Sequence, residues 1–478
     1  METAHLMSSV VPYLARSVRS PALLVDKEVV ALMNLVSFSI KTKGIHNFAR
    51  RLRTVFSRFG FSETPTRRAL NTVTETLQQY NGAPTFFIPA VLLRRHPTLI
   101  AEVAHCGAEI GIHGYVHNDY HSLNEGEQYE QTKAAISVFQ NTQITYQGFR
   151  NPYLGWTEES LHVFAALGFA YESNEAIFHD VIDLDRLPQL LRSGYEKSLK
   201  LYRVFRCNTY TLRPHFEGSL LRIPISIPDD EMLLDRLRIT NAKEIGRIWS
   251  AVMQCVYDAG GLFTLNLHPE RAVLCKQALD MLLSYARSQP LPVWVARLCD
   301  VAQWWKERSQ FRLNITPQAP HHWHVEATCT PRATLLARYV TVEDASLTPW
   351  SGMDVCIQSH SFTVHAPRCP CIALSLQTPE QVADFLQEQG LPVVRSSQEE
   401  ADKYAMYLDI AEGLGTTREE QLQRRSALME QVEQLEAPLI RFGCWPNRSR
   451  AALGVTGDID SVTIQDFFLR VLEVHQHT

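Results

Sequence analysis

Short apolar runs alternate with amphipathic stretches as far as about residue 308, and this alternation limits the fold more than any other feature of the sequence. Runs of strand length at 85–89 and 109–112 are followed by stretches of helical periodicity at 96–105 and 128–140. Parallel strands need long crossover connections, which are usually helices, so strands that alternate with helices form a parallel sheet. The sequence therefore predicts an α/β fold in which the sheet closes into a (β/α) barrel.

Further segments extend the pattern, with strands predicted at 35–40, 144–149, 170–172, 221–227 and 262–267, and helices at 66–80, 158–167 and 278–288. After residue 310 the sequence pattern changes. It predicts a β-rich stretch at 311–374, a helix and strand at 377–394, and a charged helix at 417–434. We therefore predict a barrel at 1–308 and an accessory region at 309–440 that is β-rich and then helical. A strand–helix segment at 441–478 follows, so the C-terminal part is β-rich to α+β.

The composition narrows the class of protein. The chain has 478 residues, of which 45% are hydrophobic and 20% charged, with a formal net charge of −5. No dense cluster of Lys and Arg indicates a nucleic-acid partner. No apolar run is long enough for a transmembrane helix, the N-terminus lacks the pattern of a signal peptide, and the ten cysteines include no CxxC pair. We therefore expect a cytoplasmic protein with reduced thiols.

Residues suited to catalysis or metal binding follow several predicted strands, and the C-terminal ends of barrel strands are where active sites lie. The stretches are His113-Gly-Tyr-Val-His117, Gly148-Phe-Arg150-Asn-Pro152-Tyr153, the run from Arg222 to Asp229-Asp230, and Leu265-Asn-Leu-His268-Pro269. Each alone is weak evidence, because a His-x-x-x-His pair is often a coincidence and a lone histidine is often a hydrogen-bonded core residue.

Together and in this order, the stretches resemble the polysaccharide deacetylase family, the NodB-homology fold of carbohydrate esterase family four, over residues 36–297. The phrase HPTLIAEVAHCGAEIGIHGYVH also resembles the family's pattern before its metal-binding histidines. The resemblance implies a distorted seven-stranded (β/α) barrel of the deacetylase type.

The resemblance also implies a site. A divalent metal is expected on His113, His117 and one aspartate, with Zn²⁺ the first choice and Co²⁺, Ni²⁺ or Mn²⁺ as alternatives. A second aspartate is expected to act as general base and His268 as general acid. Arg150 is expected to orient the base and to pair in turn with Asp229 or Asp230, and Pro152 and Tyr153 are expected to contact substrate.

The sequence departs from the family at the first strand, which normally ends in a pair of aspartates. Here that stretch reads Ser37-Phe-Ser-Ile-Lys41-Thr42, without a carboxylate. Near the C-terminus, the apolar run that starts at Ala451 ends in Asp458-Ile-Asp460, which resembles the missing motif. On this interpretation Asp458 is the base and Asp460 is the third metal ligand.

Several alternatives to this interpretation stay open at the level of sequence. The C-terminal segment could complete the barrel of its own chain, exchange into the barrel of a second copy in a homo-oligomer, or be the vestige of a lost domain. Asp119 could be the third ligand. Asp460 could instead cap the last helix.

The sequence thus predicts a metal-dependent hydrolase of a carbon–nitrogen amide bond that removes an acetyl group from an N-acetylated carbohydrate or glycolipid. A related possibility is the cleavage of a small cyclic amide. The alternative from another functional class is a catalytically degenerate deacetylase fold that binds glycans or acts as a scaffold.

Overall fold

A computed structural model describes residues 58–477 of the chain. The predicted strand at 35–40 and the departure at residues 37–42 lie outside the described residues. The α-helices are Thr64–Gln78, Ala90–Arg95, Pro97–His105, Glu125–Thr142, Glu158–Ala166, Gln189–Leu201, Ala242–Ala259, Pro269–Arg287, Leu298–Arg308, Glu380–Glu388, Arg418–Glu433 and Ile464–His477. No helix in this part of the chain is long and apolar enough to cross a membrane.

The largest sheet has 12 strands and forms the barrel-like part of the molecule. Its spatial order is Phe205–Arg206, Ala176–Phe178, Ile225–Ile227, Leu262–Asn266, Ala451–Asp458, Thr85–Ile88, Glu109–Ile112, Gly148–Phe149, Tyr171–Glu172, Leu220–Arg222 and His215–Glu217, and Val293–Val295 also pairs with Ala451–Asp458. The strands are parallel except for the last pair of that order. The predicted α/β fold is confirmed, with twelve strands, several of them two residues long, where seven were expected.

The sheet curls back on itself. Leu220–Arg222 and Ile225–Ile227 are close in the chain, yet they lie near opposite ends of the strand order. The sequence analysis predicted one strand at 221–227, and this prediction was wrong. Pro224 has no N–H to donate to a ladder, so the strand breaks there and the chain crosses to the other side of the curled sheet.

The strand Ala451–Asp458, which we call the C-terminal strand, lies in the interior of this sheet. It pairs in parallel with Thr85–Ile88 on one side and with Leu262–Asn266 on the other. All eight of its residues are buried, as expected for a parallel strand covered on both faces. The chain therefore fills this position in its barrel with its own C-terminal segment.

The accessory region contains two four-stranded antiparallel sheets, which contribute to a core shared with the barrel, and one three-stranded parallel sheet with a core of its own. Their strands are Arg312–Ala319, His322–Thr328, Leu335–Arg338, Thr341–Val342, Leu347–Pro349, Val355–Ile357, Ser361–His365, Cys369–Ser375, Val393–Ser396, Tyr404–Leu408 and Leu439–Phe442. The predicted β-rich region is confirmed. Trp304, Trp305 and Trp445 are buried in the core shared by the two parts.

Candidate metal and catalytic site

His113 and His117 lie directly after the strand Glu109–Ile112 and face into the barrel end. Only 1% of His113 and 5% of His117 is exposed. Gly114, at φ +82°, turns the chain between them. His113 Nδ1 lies 2.8 Å from the backbone carbonyl of Arg150, to which it can donate, so its Nε2 is left as the lone-pair atom.

Asp460 faces these two histidines from the end of the C-terminal strand. Its Oδ1 lies 3.3 Å from His117 Nε2 and 3.6 Å from His113 Nε2. The backbone N–H of Ile459 donates to the carbonyl of Phe87 at 2.8 Å, which fixes the chain between the two aspartates. Burial alone would raise the pKa of Asp460, but His117, Arg470 and His113 outweigh it and hold the pKa well below its usual value.

The donor set fits a divalent transition metal. One ligand atom each from His113, His117 and Asp460 lies within 4.8 Å of the others. Asp460 Oδ1 is buried and accepts no hydrogen bond from the described residues, so it is available as a ligand. Two imidazoles and one carboxylate are typical of catalytic zinc sites that leave a position open.

Asp458 lies two residues before Asp460, and its carboxylate faces a different set of groups. Arg150, fully buried, donates from Nη1 to Asp458 Oδ1 at 3.1 Å. Burial would raise the pKa of the Asp458 carboxyl, but the Arg150 guanidinium, with His113 and His268, lowers it. Asp458 is therefore held as a carboxylate in a site from which water is largely excluded.

His268 approaches Asp458 from the neighbouring strand. Its Nε2 lies 4.0 Å from Asp458 Oδ2. Its Nδ1 lies 2.7 Å from Asp230 Oδ1, and its backbone N–H donates to Asp230 Oδ2 at 2.8 Å. Burial lowers the pKa of His268, but the charge and hydrogen bond of Asp230 raise it well above its usual value.

The expected partner of Arg150 needs a correction. Asp229 and Asp230 do not pair with Arg150. Asp230 contacts His268, and Asp229 accepts the backbone N–H of Met232 at 2.9 Å. Burial and the neighbouring Asp230 raise the pKa of Asp229 to about 7. Asp230 therefore supports His268, and Asp229 holds the turn at Met232.

Pro152 and Tyr153 form a tight turn after Gly148–Phe149 at the rim of the site. The Tyr153 ring meets the His117 ring edge-on at 4.8 Å between centroids, and 48% of the tyrosine is exposed. Both residues are thus near the histidines, and their predicted contact with substrate stays a prediction.

Two of the alternatives for the aspartates do not fit the geometry. The Asp119 carboxylate accepts the backbone N–H of His121 at 3.0 Å and caps the short turn Tyr120–Ser122. Thr463 directly precedes the last helix, and its Oγ1 accepts the backbone N–H of Asp466 at 3.3 Å, so Thr463 rather than Asp460 caps this helix.

Sequence reasoning missed three residues that hold the aspartates. Thr456 and Asn266 each accept a hydrogen bond from Arg150 Nη1, at 2.8 and 3.1 Å. Alternation in a strand places Thr456 on the face of Asp458, and this signal could have found it. Arg470 donates to Asp460 Oδ2 at 3.0 Å from the last helix, and no pattern in the sequence indicates that contact.

Comparisons with known proteins agree with part of this description. Residues 60–171 match the family model described as polysaccharide deacetylase. None of the curated proteins matches the sequence significantly.

Three solved structures illustrate the similarity. A protein from Mycobacterium smegmatis assigned as a polysaccharide deacetylase is 18% identical, with a TM-score of 0.40, over 57% of this chain and 85% of that chain. A Puue allantoinase is 18% identical, with a TM-score of 0.38, over 50% of this chain and 72% of that chain. A pseudoenzyme of carbohydrate esterase family four from Bacillus anthracis is 14% identical, with a TM-score of 0.22, over 33% of this chain and 50% of that chain.

The family match begins just before the first described helix and ends in the strand Tyr171–Glu172, so it includes both histidines and Arg150. The aspartates of the C-terminal strand lie far outside it. The resemblance drawn from the sequence is confirmed over residues 60–171, which match the polysaccharide deacetylase model.

Proposed function

We propose that the chain is a metal-dependent hydrolase of a carbon–nitrogen amide bond, and that it removes the acetyl group from an N-acetylated sugar or glycoconjugate. One observation carries the proposal. The C-terminal strand lies between Thr85–Ile88 and Leu262–Asn266, and it carries Asp458 and Asp460 to the end of the barrel where the histidines lie.

His113, His117 and Asp460 would hold the metal, with Zn²⁺ the first choice and Co²⁺, Ni²⁺ or Mn²⁺ as alternatives. When bound, a divalent cation would act as a Lewis acid toward the amide carbonyl and lower the pKa of a water molecule. The contact of His113 Nδ1 with the Arg150 carbonyl orients the imidazole for this purpose, as in many metal sites.

Asp458 is proposed as the general base. Its Oδ2 faces His268 across 4.0 Å and accepts one hydrogen bond from Asn266 at 3.1 Å, so it keeps a lone pair for the proton of an attacking water. Arg150 holds the carboxylate in place and favours its charged form. A base in this position assists attack on the amide, which is a poor electrophile.

His268 is proposed as the general acid. An amine is a poor leaving group, so the nitrogen must receive a proton as the bond breaks. Asp230 keeps His268 protonated on Nδ1 and raises its pKa, which leaves a proton available on Nε2. Base and acid thus lie at the same end of the barrel, with His268 Nε2 4.0 Å from Asp458 Oδ2.

The substrate class rests on the family and on the exposed Tyr153 ring beside His117. An aromatic ring at the rim offers a flat apolar surface for the face of a sugar. The expected cytoplasmic location, and with it a glycolipid or small glycoconjugate as substrate, stays a prediction.

The test is acetate release from a panel of N-acetylated sugars and oligosaccharides by zinc-loaded protein, compared with His268→Gln. We expect acetate from at least one compound, with a rate about 10²- to 10⁴-fold lower in the variant. Turnover of a cyclic amide without acetate release would favour the cyclic-amide reaction. Glycan binding without turnover of any compound would favour a degenerate binding protein and contradict the proposal.

A further inference from the structure

A group of arginines lies at the other end of the strands that carry the proposed catalytic residues. Here a cavity of about 310 Å³ opens between the barrel and the accessory region. Gly260 lines it just before the strand Leu262–Asn266, and Arg450 lines it just before the C-terminal strand. Arg213, Arg308 and Arg441 complete a group of four arginines around the same space.

Three of these arginines have no carboxylate partner. Arg441 is paired, at 2.5 Å, with both Glu433 and Asp354. Arg213, Arg308 and Arg450 make no ion pair within 4.0 Å to any residue in the described part of the chain, 58–477. Of the acids that line the cavity, Glu433 is engaged by Arg441 and Arg338, and Asp258 is exposed and accepts from Gln254 at 2.7 Å.

The guanidinium groups are held in place by backbone carbonyls. Arg213 donates from Nη2 to Ala259 at 3.3 Å, and Arg450 donates from Nη2 to Asp258 at 2.6 Å. A Cβ added at Gly260 would lie 3.5 Å from Arg213 Nη2 and 3.6 Å from Arg450 Nη1, so the two groups converge on one turn. Each arginine has five N–H donors, and most remain available to a ligand.

Arg308 adds a third cation from the end of the helix Leu298–Arg308. It is 3% exposed, and it donates from Nε to the carbonyl of Gly443 at 3.2 Å and from Nη1 to the carbonyl of Glu388. Burial lowers the pKa of Arg308, and the charges of Arg213 and Arg441 lower it further, while Cys444 and Glu388 act in the opposite direction without offsetting the burial. Burial and the charge of Arg213 also lower the pKa of Arg450, against the smaller opposing effect of Glu433. The cations therefore repel one another in a space that an anion would stabilise.

An adjoining cavity of about 240 Å³ shares Arg213 and Glu433 with the first. Apolar side chains such as Leu422 and Met429 line it together with His215, which is 7% exposed. Nδ1 of His215 is buried without a hydrogen-bond partner in the described part of the chain. The arginine cavity is thus continued by a mixed apolar and polar space.

We propose that this arginine cavity binds a small phosphorylated metabolite, with the phosphate on Arg213, Arg308 and Arg450 and the organic part toward the adjoining cavity. The planar fork of a guanidinium matches phosphate oxygens better than an ammonium does. Trp350 lines the arginine cavity and offers an aromatic face. The volume is within the range, about 300–1,000 Å³, of sites that hold small ligands.

The site is distinct from the proposed catalytic centre and does not depend on it. A ligand there would contact Arg213, Arg308 at the end of the helix Leu298–Arg308, and Arg450 just before the C-terminal strand. Because a ligand that binds only the folded state stabilises it by mass action, occupancy would raise the melting temperature.

The test is isothermal titration of the full chain with inorganic phosphate, glucose 6-phosphate and AMP at matched ionic strength. The variants are Arg213→Gln and Arg450→Gln, and the matched control is Arg448→Gln, an exposed arginine two residues from Arg450. We expect saturable binding of at least one organic phosphate with Kd at or below about 1 mM, weakened about tenfold or more in both variants and unchanged in the control.

Asp460→Ala provides an independent check, because its loss of the proposed metal site should leave this binding unchanged. If one arginine variant fails to fold, as judged by its melting curve, the other still decides the question. Absence of binding by the wild type to all three probes would overturn the proposal. Binding that is equally tight in a folded Arg213→Gln or Arg450→Gln variant would also overturn it.

Discussion

At the scale of single residues, Asp458 and Asp460 are two positions apart and meet different partners. Asp458 faces Arg150 and the proposed acid, whereas Asp460 faces two imidazoles and Arg470. Because alternate residues of an extended chain share a face, both carboxylates can point into one site and still be separated. The two aspartates should therefore fail in different ways when they are changed.

Asp458→Asn should abolish most turnover without loss of metal. The amide keeps the shape of the side chain but cannot take a proton, so kcat should fall about 10²- to 10⁴-fold. Steady-state rates beside metal content measure both effects, with Asp280→Asn on the surface of Pro269–Arg287 as the control. An unchanged kcat would exclude Asp458 as the base.

Asp230→Asn should move the alkaline limb of the pH–rate profile to lower pH. Asp230 raises the pKa of His268, against the effect of burial, and a general acid must be protonated to act. Activity should therefore persist up to the raised pKa and fall as the pH rises through it. Without the Asp230 charge that fall should begin at a lower pH, which a profile of kcat against pH measures. If the alkaline limb of the profile does not move, the group that titrates there is not His268.

At the scale of elements, the C-terminal strand depends on a close approach that only glycine permits. A Cβ at Gly457 would lie 2.3 Å from the carbonyl oxygen of Leu267, a backbone atom that cannot move aside. At Gly454, on the same strand, the added Cβ would meet the end of the flexible Leu298 side chain at 3.0 Å. Substitutions at the two glycines can therefore be compared, with Gly454 as the control for Gly457.

Gly457→Ala should lower the free energy of unfolding by about 1–3 kcal/mol, as overpacking in a core does, and should weaken metal binding. Gly454→Ala should have a smaller effect on both. Thermal unfolding and metal content of the two variants measure the difference. Equal stability would mean that the strand does not lie against Leu267.

The last helix is held to the barrel by an ionic contact that should depend on pH. His96 Nδ1 lies 2.7 Å from Glu63 and Nε2 lies 2.9 Å from Asp466, and Arg95 also pairs with Asp466 at 3.3 Å. Burial lowers the pKa of His96, but the two carboxylates outweigh it and raise the pKa above its usual value.

The sign of the stability effect follows from that raised pKa. Protonated His96 stabilises the folded state in full when the pH is below the pKa of His96 in the unfolded chain. This contribution is lost as the pH rises through the higher pKa of His96 in the folded state. His96→Gln should remove that loss, so its melting temperature should change less than that of the wild type between pH 6 and pH 9. Parallel melting curves for the two proteins would contradict the role of His96.

At the scale of the whole molecule, much of the fold could be predicted from local patterns. The alternation of strands and helices indicated the α/β class, and the motif order indicated the family. Local patterns do not report which strands pair. The sequence therefore left open whether Asp458-Ile-Asp460 acts in its own barrel, in another copy or not at all, whereas in the structure the C-terminal strand pairs within its own chain.

Local patterns in the sequence predicted some residues of the site but not the contacts between distant segments. His113, His117 and His268 follow strands, and strand ends are visible in the sequence. The contact of Asp230 with His268 depends on how the curled sheet brings two separate segments together. The break at Pro224 shows the same limit, because an apolar run hides the point at which the chain leaves one strand for another.

The measurement that tests the central claim most directly is the metal content of purified, zinc-loaded wild type beside Asp460→Ala and Asp458→Asn. If the C-terminal strand completes the site, the wild type and Asp458→Asn should each hold about one ion per chain, as a single catalytic zinc site does, and Asp460→Ala should hold little. Equal metal in the wild type and Asp460→Ala, or none in the loaded wild type, would contradict the claim.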